Sequence, residues 1–111
     1  MDSWDIAGLD VQPHHPKILR TDKEARVIAI HLPAGEQLQE HQTHERGYLF
    51  VVDGEIALSN GGNTTDGGPG FLAVFDPNER REVTATKDSR LALVLGPWPG
   101  DGHPRNRQHA G

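Results

Sequence analysis

Cysteine is absent from this chain, and aromatic residues make up only 5% of it. Without cysteine the chain has neither a disulfide nor a thiol nucleophile, although this absence fixes no compartment. No apolar run approaches the roughly 20 residues of a membrane span, and the first four residues lack the basic and then apolar start of a secretory signal. We therefore expect a cytoplasmic protein with no membrane partner.

Basic residues are fewer than acidic ones. The 11 Lys and Arg residues are outnumbered by 16 Asp and Glu, which gives a net charge of −5, and the two signs are interspersed along the chain. A nucleic-acid surface needs a basic patch or stripe, so the sequence predicts no nucleic-acid partner. The glycine-rich stretch 60–70 is not followed by the Lys-Ser/Thr pair of a phosphate-binding loop, and we interpret it as a hairpin loop.

The chain of 111 residues is hydrophobic over only 34% of its length but carries 13 Gly and 8 Pro. Residues 17–96 show no sustained helical period, and roughly seven or eight short apolar runs alternate with turn signals. This pattern predicts an all-β sandwich or barrel in a single domain. Residues 1–16 are predicted to form an irregular N-terminal arm. Residues 97–111 are predicted to form a flexible, Pro/Gly-rich C-terminal tail.

The segment from Gly35 to Gly54 reads GEQLQEHQTHERGYLFVVDG and carries most of the information in the chain. His41 follows the first glycine after five residues, and an apolar strand then ends in Asp53-Gly54, a two-residue hairpin signal. This spacing resembles the first motif of the cupin superfamily, G-x5-H-x-H-x3/4-E-x6-G. Gly35, His41 and Gly54 are in register with that motif.

A second cupin motif, G-x5-P-x-G-x2-H-x3-N, is matched more loosely. Gly70 and Pro77 are separated by six residues rather than five, and Glu82 stands in the place of the histidine. The resemblance covers about residues 17–96, and the stretch HERGYLFVVDGE is also similar to pirin-type half-domains. It implies a small jelly-roll β-barrel of the single-domain cupin type.

The resemblance also implies a set of metal ligands, two histidines and a glutamate from the first motif and a histidine from the second. The corresponding residues here are His41, Thr43, Gly47 and Glu82. A degenerate or absent metal site is therefore one hypothesis. The alternative is a set of His41, His44 and Glu82 holding iron, manganese or zinc, which requires a bend because residues i and i+3 of a strand point to opposite faces.

Strand parity predicts the lining of the barrel. If Gly47 faces inward, Leu49 and Val51 do so too, and His31 is a further candidate for contact with a ligand, although a hydrogen-bonded core or rim histidine is the alternative for it. The residues between them then form an apolar outer face, which predicts a homodimer. These outward residues are Tyr48, Phe50 and Val52.

Three functions are consistent with the sequence. The first is a module that binds a small molecule inside the barrel without catalysis. The second is a metal-dependent enzyme of the dioxygenase or isomerase type. The third is a non-catalytic dimeric accessory protein. Glu45, next to His44, is either a general base or, as the pattern favours, an exposed partner of Arg46 or Arg80.

Overall fold

A computed structural model describes residues 1–38 and 43–100, and within these ranges the chain forms nine β-strands and no helix. The strands are β1 (Lys17–Thr21), β2 (Arg26–Leu32), β3 (Gln37–Leu38), β4 (Arg46–Asp53), β5 (Ile56–Asn60), β6 (Asn63–Gly67), β7 (Leu72–Phe75), β8 (Glu82–Ala85) and β9 (Ser89–Gly96). Nothing helical in the described residues is long and apolar enough to cross a membrane. Residues 101–111 of the predicted tail lie outside the described residues.

The strands form two antiparallel sheets that enclose one core. One sheet has the order β1-β2-β9-β4-β7, and the other has the order β3-β8-β5-β6. Both sheets contribute to the buried apolar cluster, with Leu49 and Leu91 from the first sheet and Ile56 and Val83 from the second. The predicted all-β jelly-roll barrel is thereby confirmed.

Alternation along the long strands sets which side chains enter the core. In β9 the side chains of Leu91, Leu93 and Leu95 are buried, whereas the residues between them are only half-buried. In β4 the inward Leu49 is 1% exposed, and its outward neighbour Phe50 is 40% exposed. This is the period of two that a pleated strand imposes on its side chains.

Asp53-Gly54 is not a hairpin, which corrects the sequence interpretation. β4 pairs with β7 and β9, while β5 pairs with β6 and β8, so the turn carries the chain from one sheet to the other. The left-handed φ of Gly54, +91°, and a bulge in the pairing of β4 with β9 turn the chain out of the first sheet.

The stretch Asn60–Gly70, predicted as a loop, contains the strand β6. Gly61 and Gly62, at φ 62° and 128°, form the turn that sends the chain back along β5. Each residue of β6 from Asn63 to Gly67 pairs with β5. The strand is polar because it lies at a sheet edge and is mostly exposed, so it gives no hydrophobic signal.

The N-terminal arm lies against the outer face of β2 and β9. Val11 is 4% exposed but is not part of the core cluster, and Trp4 near the start of the arm is 39% exposed. The Arg90 guanidinium donates a hydrogen bond of 2.7 Å to the carbonyl oxygen of Leu9. Two ion pairs also reach the arm, His14 to Glu36 at 2.9 Å and Arg20 to Asp2 at 3.0 Å. The arm is therefore held by polar contacts and by the buried side chain of Val11.

Candidate functional site

A cavity of about 280 Å³ lies between the inner faces of β2 and β9 and the segments that cross the end of the barrel. Arg26 pairs with Leu95, and Ile28 pairs with Leu93, so these side chains share the inner face of the sheet. The cavity is lined mainly by apolar residues, with four polar residues among them. The lining consists of Pro16, Arg26, Ile28, Ile30, Leu38, Thr43, His44, Glu45, Leu93, Leu95 and Trp98.

Glu45 is a cavity residue that the sequence interpretation placed wrongly. It is 2% exposed and lines the cavity, whereas an exposed ion pair was favoured for it. The expected partner Arg46 donates instead to Asp76 Oδ1 at 2.6 Å. Strand parity contained the missing signal, because counting back in steps of two from the inward Leu49 reaches Gly47 and then Glu45.

The segment 97–100 folds back over this end of the barrel. The amide N–H of Gly100 donates to Glu45 Oε2 at 2.7 Å, and the amide N–H of Trp98 donates to the carbonyl oxygen of Lys23 at 3.3 Å. The Arg26 guanidinium lies 4.0 Å from the centre of the Trp98 ring, within the range of a cation–π contact. These contacts place the indole ring in the wall of the cavity.

His31 lies on the outer side of its sheet. It pairs with Arg90, whose neighbours Ser89 and Leu91 face the core, so the histidine points away from the core. Its Nε2 lies 2.7 Å from Asp88 Oδ1, and its Nδ1 lies 3.2 Å from the carbonyl oxygen of Val11. The ring lines a second cavity of about 280 Å³ beneath the arm, which is not the cavity that contains Glu45.

Leu49 and Val51, the other residues predicted to contact a ligand, face inward. They are 1% and 2% exposed and belong to the core cluster. The lining of the Glu45 cavity contains neither of them. They support the wall of the barrel through their packing.

The residues of the predicted metal set are found in different places. His41 lies outside the described residues. His44 lines the cavity together with Glu45, and the chain bends at these two positions, as an inward His44 requires. Glu82 is exposed and lines a different, surface cavity with Arg80 and Arg81. Across residues 1–38 and 43–100, no group of three or more His, Cys, Asp or Glu residues is arranged to hold a metal ion.

The residue before Glu82 is a buried cation. Arg81 is 5% exposed, and its guanidinium lies 4.6 Å from the centre of the Phe75 ring. Burial lowers the pKa of Arg81 below its usual value, and the nearby Glu79 carboxylate opposes that shift. An arginine remains protonated at neutral pH even so. A fixed positive charge therefore lies at the inward position next to Glu82.

A family model described as a cupin domain matches residues 28–96, which is more than half of the chain. The chain belongs to the cupin domain family. No curated protein matches this cupin.

Solved structures share its fold at low sequence identity. An RmlC-like cupin protein from Desulfovibrio desulfuricans is 16% identical with a TM-score of 0.79, and the match covers 87% of this chain and 97% of that one. KdgF from a Halomonas species is 21% identical with a TM-score of 0.69, and coverage is 80% and 85%. The cupin domain of Cnp3 from Schizosaccharomyces pombe is 12% identical with a TM-score of 0.77, and coverage is 95% and 73%. At these identities the likeness concerns the fold alone.

The described residues of this cupin do not fit the metal centre that its family implies. Thr43 stands in a histidine's place, and its hydroxyl donates to the carbonyl oxygen of Glu45 at 3.0 Å. A side chain on Gly47, in the glutamate's place, would meet apolar atoms of Phe75 at 3.5 Å and of Leu95 at 3.6 Å. The position offers apolar packing in place of a metal ligand.

Proposed function

We propose that this cupin is a binding module that holds a small, largely apolar molecule in the cavity beside Glu45 and does not catalyse a reaction on it. The single observation that supports this function is the cavity itself, which lies inside the barrel and is walled mainly by aliphatic side chains and by the Trp98 ring. Ligand pockets in proteins combine such a lining with a few polar groups that orient the ligand.

The size of the cavity limits the ligand. An apolar cavity of about 150 Å³ binds benzene, so a cavity of about 280 Å³ has room for a ring with a short substituent. Burying such a ligand contributes roughly 25 cal/mol for each Å² of apolar surface removed from water. The expected ligands are therefore single-ring or branched aliphatic molecules.

A binding role is preferred to a catalytic one because of the residues at the family's ligand positions. Thr43 and Gly47 supply no strong metal ligand, and the side chain at the inward position next to Glu82 is the buried cation of Arg81. The His41, His44 and Glu82 set stays a prediction, which metal analysis can test. The physiological ligand is expected to bind non-covalently.

Binding can be measured through the intrinsic fluorescence of Trp98. The chain has two tryptophans, so a Trp4→Phe background assigns the signal to the cavity. We expect neutral or charged single-ring probes, such as benzyl alcohol and benzylamine, to change this fluorescence with saturation and to raise the melting temperature.

A matched pair of variants tests the location. Ile28→Phe fills the cavity and is expected to weaken binding, whereas Ile18→Phe, on the paired residue of β1 that is 52% exposed, is expected to leave binding unchanged. Equal binding by both variants would move the ligand out of this cavity. If no probe of this size binds to the wild-type protein, the proposed function is wrong.

A further inference from the structure

Glu45 is a buried carboxylate whose charge the described structure only partly compensates. It is 2% exposed, and its Oε2 accepts one hydrogen bond of 2.7 Å from the amide of Gly100. No Lys, Arg or His within residues 1–38 and 43–100 forms an ion pair with this carboxylate. A carboxylate can accept roughly four hydrogen bonds, so one amide donor leaves acceptor capacity next to the cavity.

Burial of such a group is unfavourable unless hydrogen bonds and an opposite charge accompany it. The aliphatic side chains that make up most of the lining offer the carboxylate neither a hydrogen bond nor an opposite charge. A ligand that brings an N–H donor or a positive charge into the cavity would supply what the carboxylate lacks. Charge-assisted hydrogen bonds of this kind are about twice as strong as neutral ones.

The other charged or titratable groups in the lining are less available to a ligand. The Arg26 guanidinium stacks on the Trp98 ring, and its Nε donates to Thr21 Oγ1 at 3.1 Å. His44 also lines the cavity and has an interaction partner of its own within the protein. The cation of Arg26 is therefore held against the indole ring, and the carboxylate of Glu45 is the group that selects the ligand.

We propose that Glu45 makes the cavity selective for amines, with the ligand's ammonium group on the carboxylate and its apolar body among the aliphatic side chains. The inference rests on the proposed function and adds the chemical class of the ligand. Glu45 acts as a binding and specificity-determining residue, because the position of its carboxylate decides which polar group can be buried with the apolar body. Carboxylic acids of the same size should be excluded by repulsion.

The test compares three probes that share a ring and differ in one polar group: benzylamine, benzyl alcohol and benzoate. Each is titrated at neutral pH into the wild-type protein, Glu45→Gln and Glu55→Gln, all in the Trp4→Phe background, with Trp98 fluorescence and calorimetry as readouts. Glutamine keeps the shape of the side chain and an oxygen that can accept the Gly100 hydrogen bond. Glu55→Gln is the matched control because it removes the same charge from a side chain that is 43% exposed.

We expect the wild-type protein to bind benzylamine roughly ten- to a hundredfold more tightly than benzyl alcohol, and to bind benzoate least well. Glu45→Gln should lose this preference for the amine while keeping its affinity for the alcohol within a few fold. Glu55→Gln should behave as the wild type. The preference of the wild-type protein among the three probes is itself decisive if Glu45→Gln fails to fold.

Equal affinity for the three probes would overturn the role of Glu45 and leave the proposed binding function intact. A preference for benzoate would overturn it in favour of Arg26. If Glu45→Gln and Glu55→Gln lose the preference for the amine equally, the preference follows from the net charge of the protein. That result would also overturn the role of Glu45. The absence of binding for every probe would overturn the proposed function together with this inference.

Discussion

Gly47 and Gly54 lie in the same sequence motif, yet the structure predicts opposite results when each is replaced by alanine. Gly54 has a φ of +91°, and a Cβ there would lie 2.3 Å from the carbonyl oxygen of Asp88 and 2.4 Å from Ser89 Oγ. Gly47 does not have a left-handed φ, and its nearest contact would be an ordinary 3.5 Å from Phe75. One substitution therefore forces the backbone to move, and the other fits.

The size of each effect follows from these contacts. For Gly54→Ala, the left-handed backbone costs about 1–2 kcal/mol. Overpacking against the backbone and the fully buried Ser89 costs about 1–3 kcal/mol more, so a total loss of about 2–5 kcal/mol is expected. For Gly47→Ala, removing a glycine from the interior of a strand is expected to be neutral or to stabilise by up to about 1 kcal/mol.

Urea unfolding followed by circular dichroism measures both free energies. A domain of this size is stabilised by about 5–15 kcal/mol. The Gly54→Ala protein should therefore give a measurable unfolding transition, unless the wild-type stability lies at the lower end of this range, where the variant would be unfolded. Its melting temperature should fall by roughly 8–20 °C, at about 4 °C for each kcal/mol. A Gly54→Ala protein within about 1 kcal/mol of the wild type, or a Gly47→Ala protein that loses as much stability as Gly54→Ala, would refute this account of the motif.

Three further predictions concern association, metal and acid stability. The outer sheet face, where Phe50 is 40% and Leu72 is 47% exposed, is expected to form a homodimer that Phe50→Glu dissociates, and a monomeric wild type in sedimentation at high concentration would contradict this. Any iron, manganese or zinc that co-purifies is expected to be lost in His41→Ala, so elemental analysis showing equal metal in both proteins would remove His41 from the ligand set. The backbone N–H of Ala25 is the main cause that lowers the pKa of Asp22 below its usual 3.8. The stability that Asp22 contributes should thus be present at neutral pH and lost as the pH falls below about 4, and an Asp22→Asn protein whose unfolding shows the same acid dependence as the wild type would be evidence against it.

The class of fold and the inward side of β4 could be predicted from the amino-acid sequence alone. Turn residues and the absence of a helical period depend only on local backbone preferences, and these gave the all-β barrel. The alternation in β4 placed Leu49 and Val51 inside for the same local reason. Gly35 and Gly54 of the first cupin motif could also be recognised from the sequence. Both have a left-handed φ, which favours glycine at these positions.

The role of the Asp53-Gly54 turn and the environment of Glu45 depend on contacts between residues that are distant in the sequence. Asp53-Gly54 has the conformation of a turn in either case, but only the pairing of β5 with a different sheet makes it a corner. The hydrogen bond to the Glu45 carboxylate comes from Gly100, 55 positions later in the chain, which folds back over this end of the barrel. Strand preference and turn type are properties of neighbouring residues. The environment of Glu45 is a property of residues that the fold brings together, and the sequence around it gives no sign of that contact.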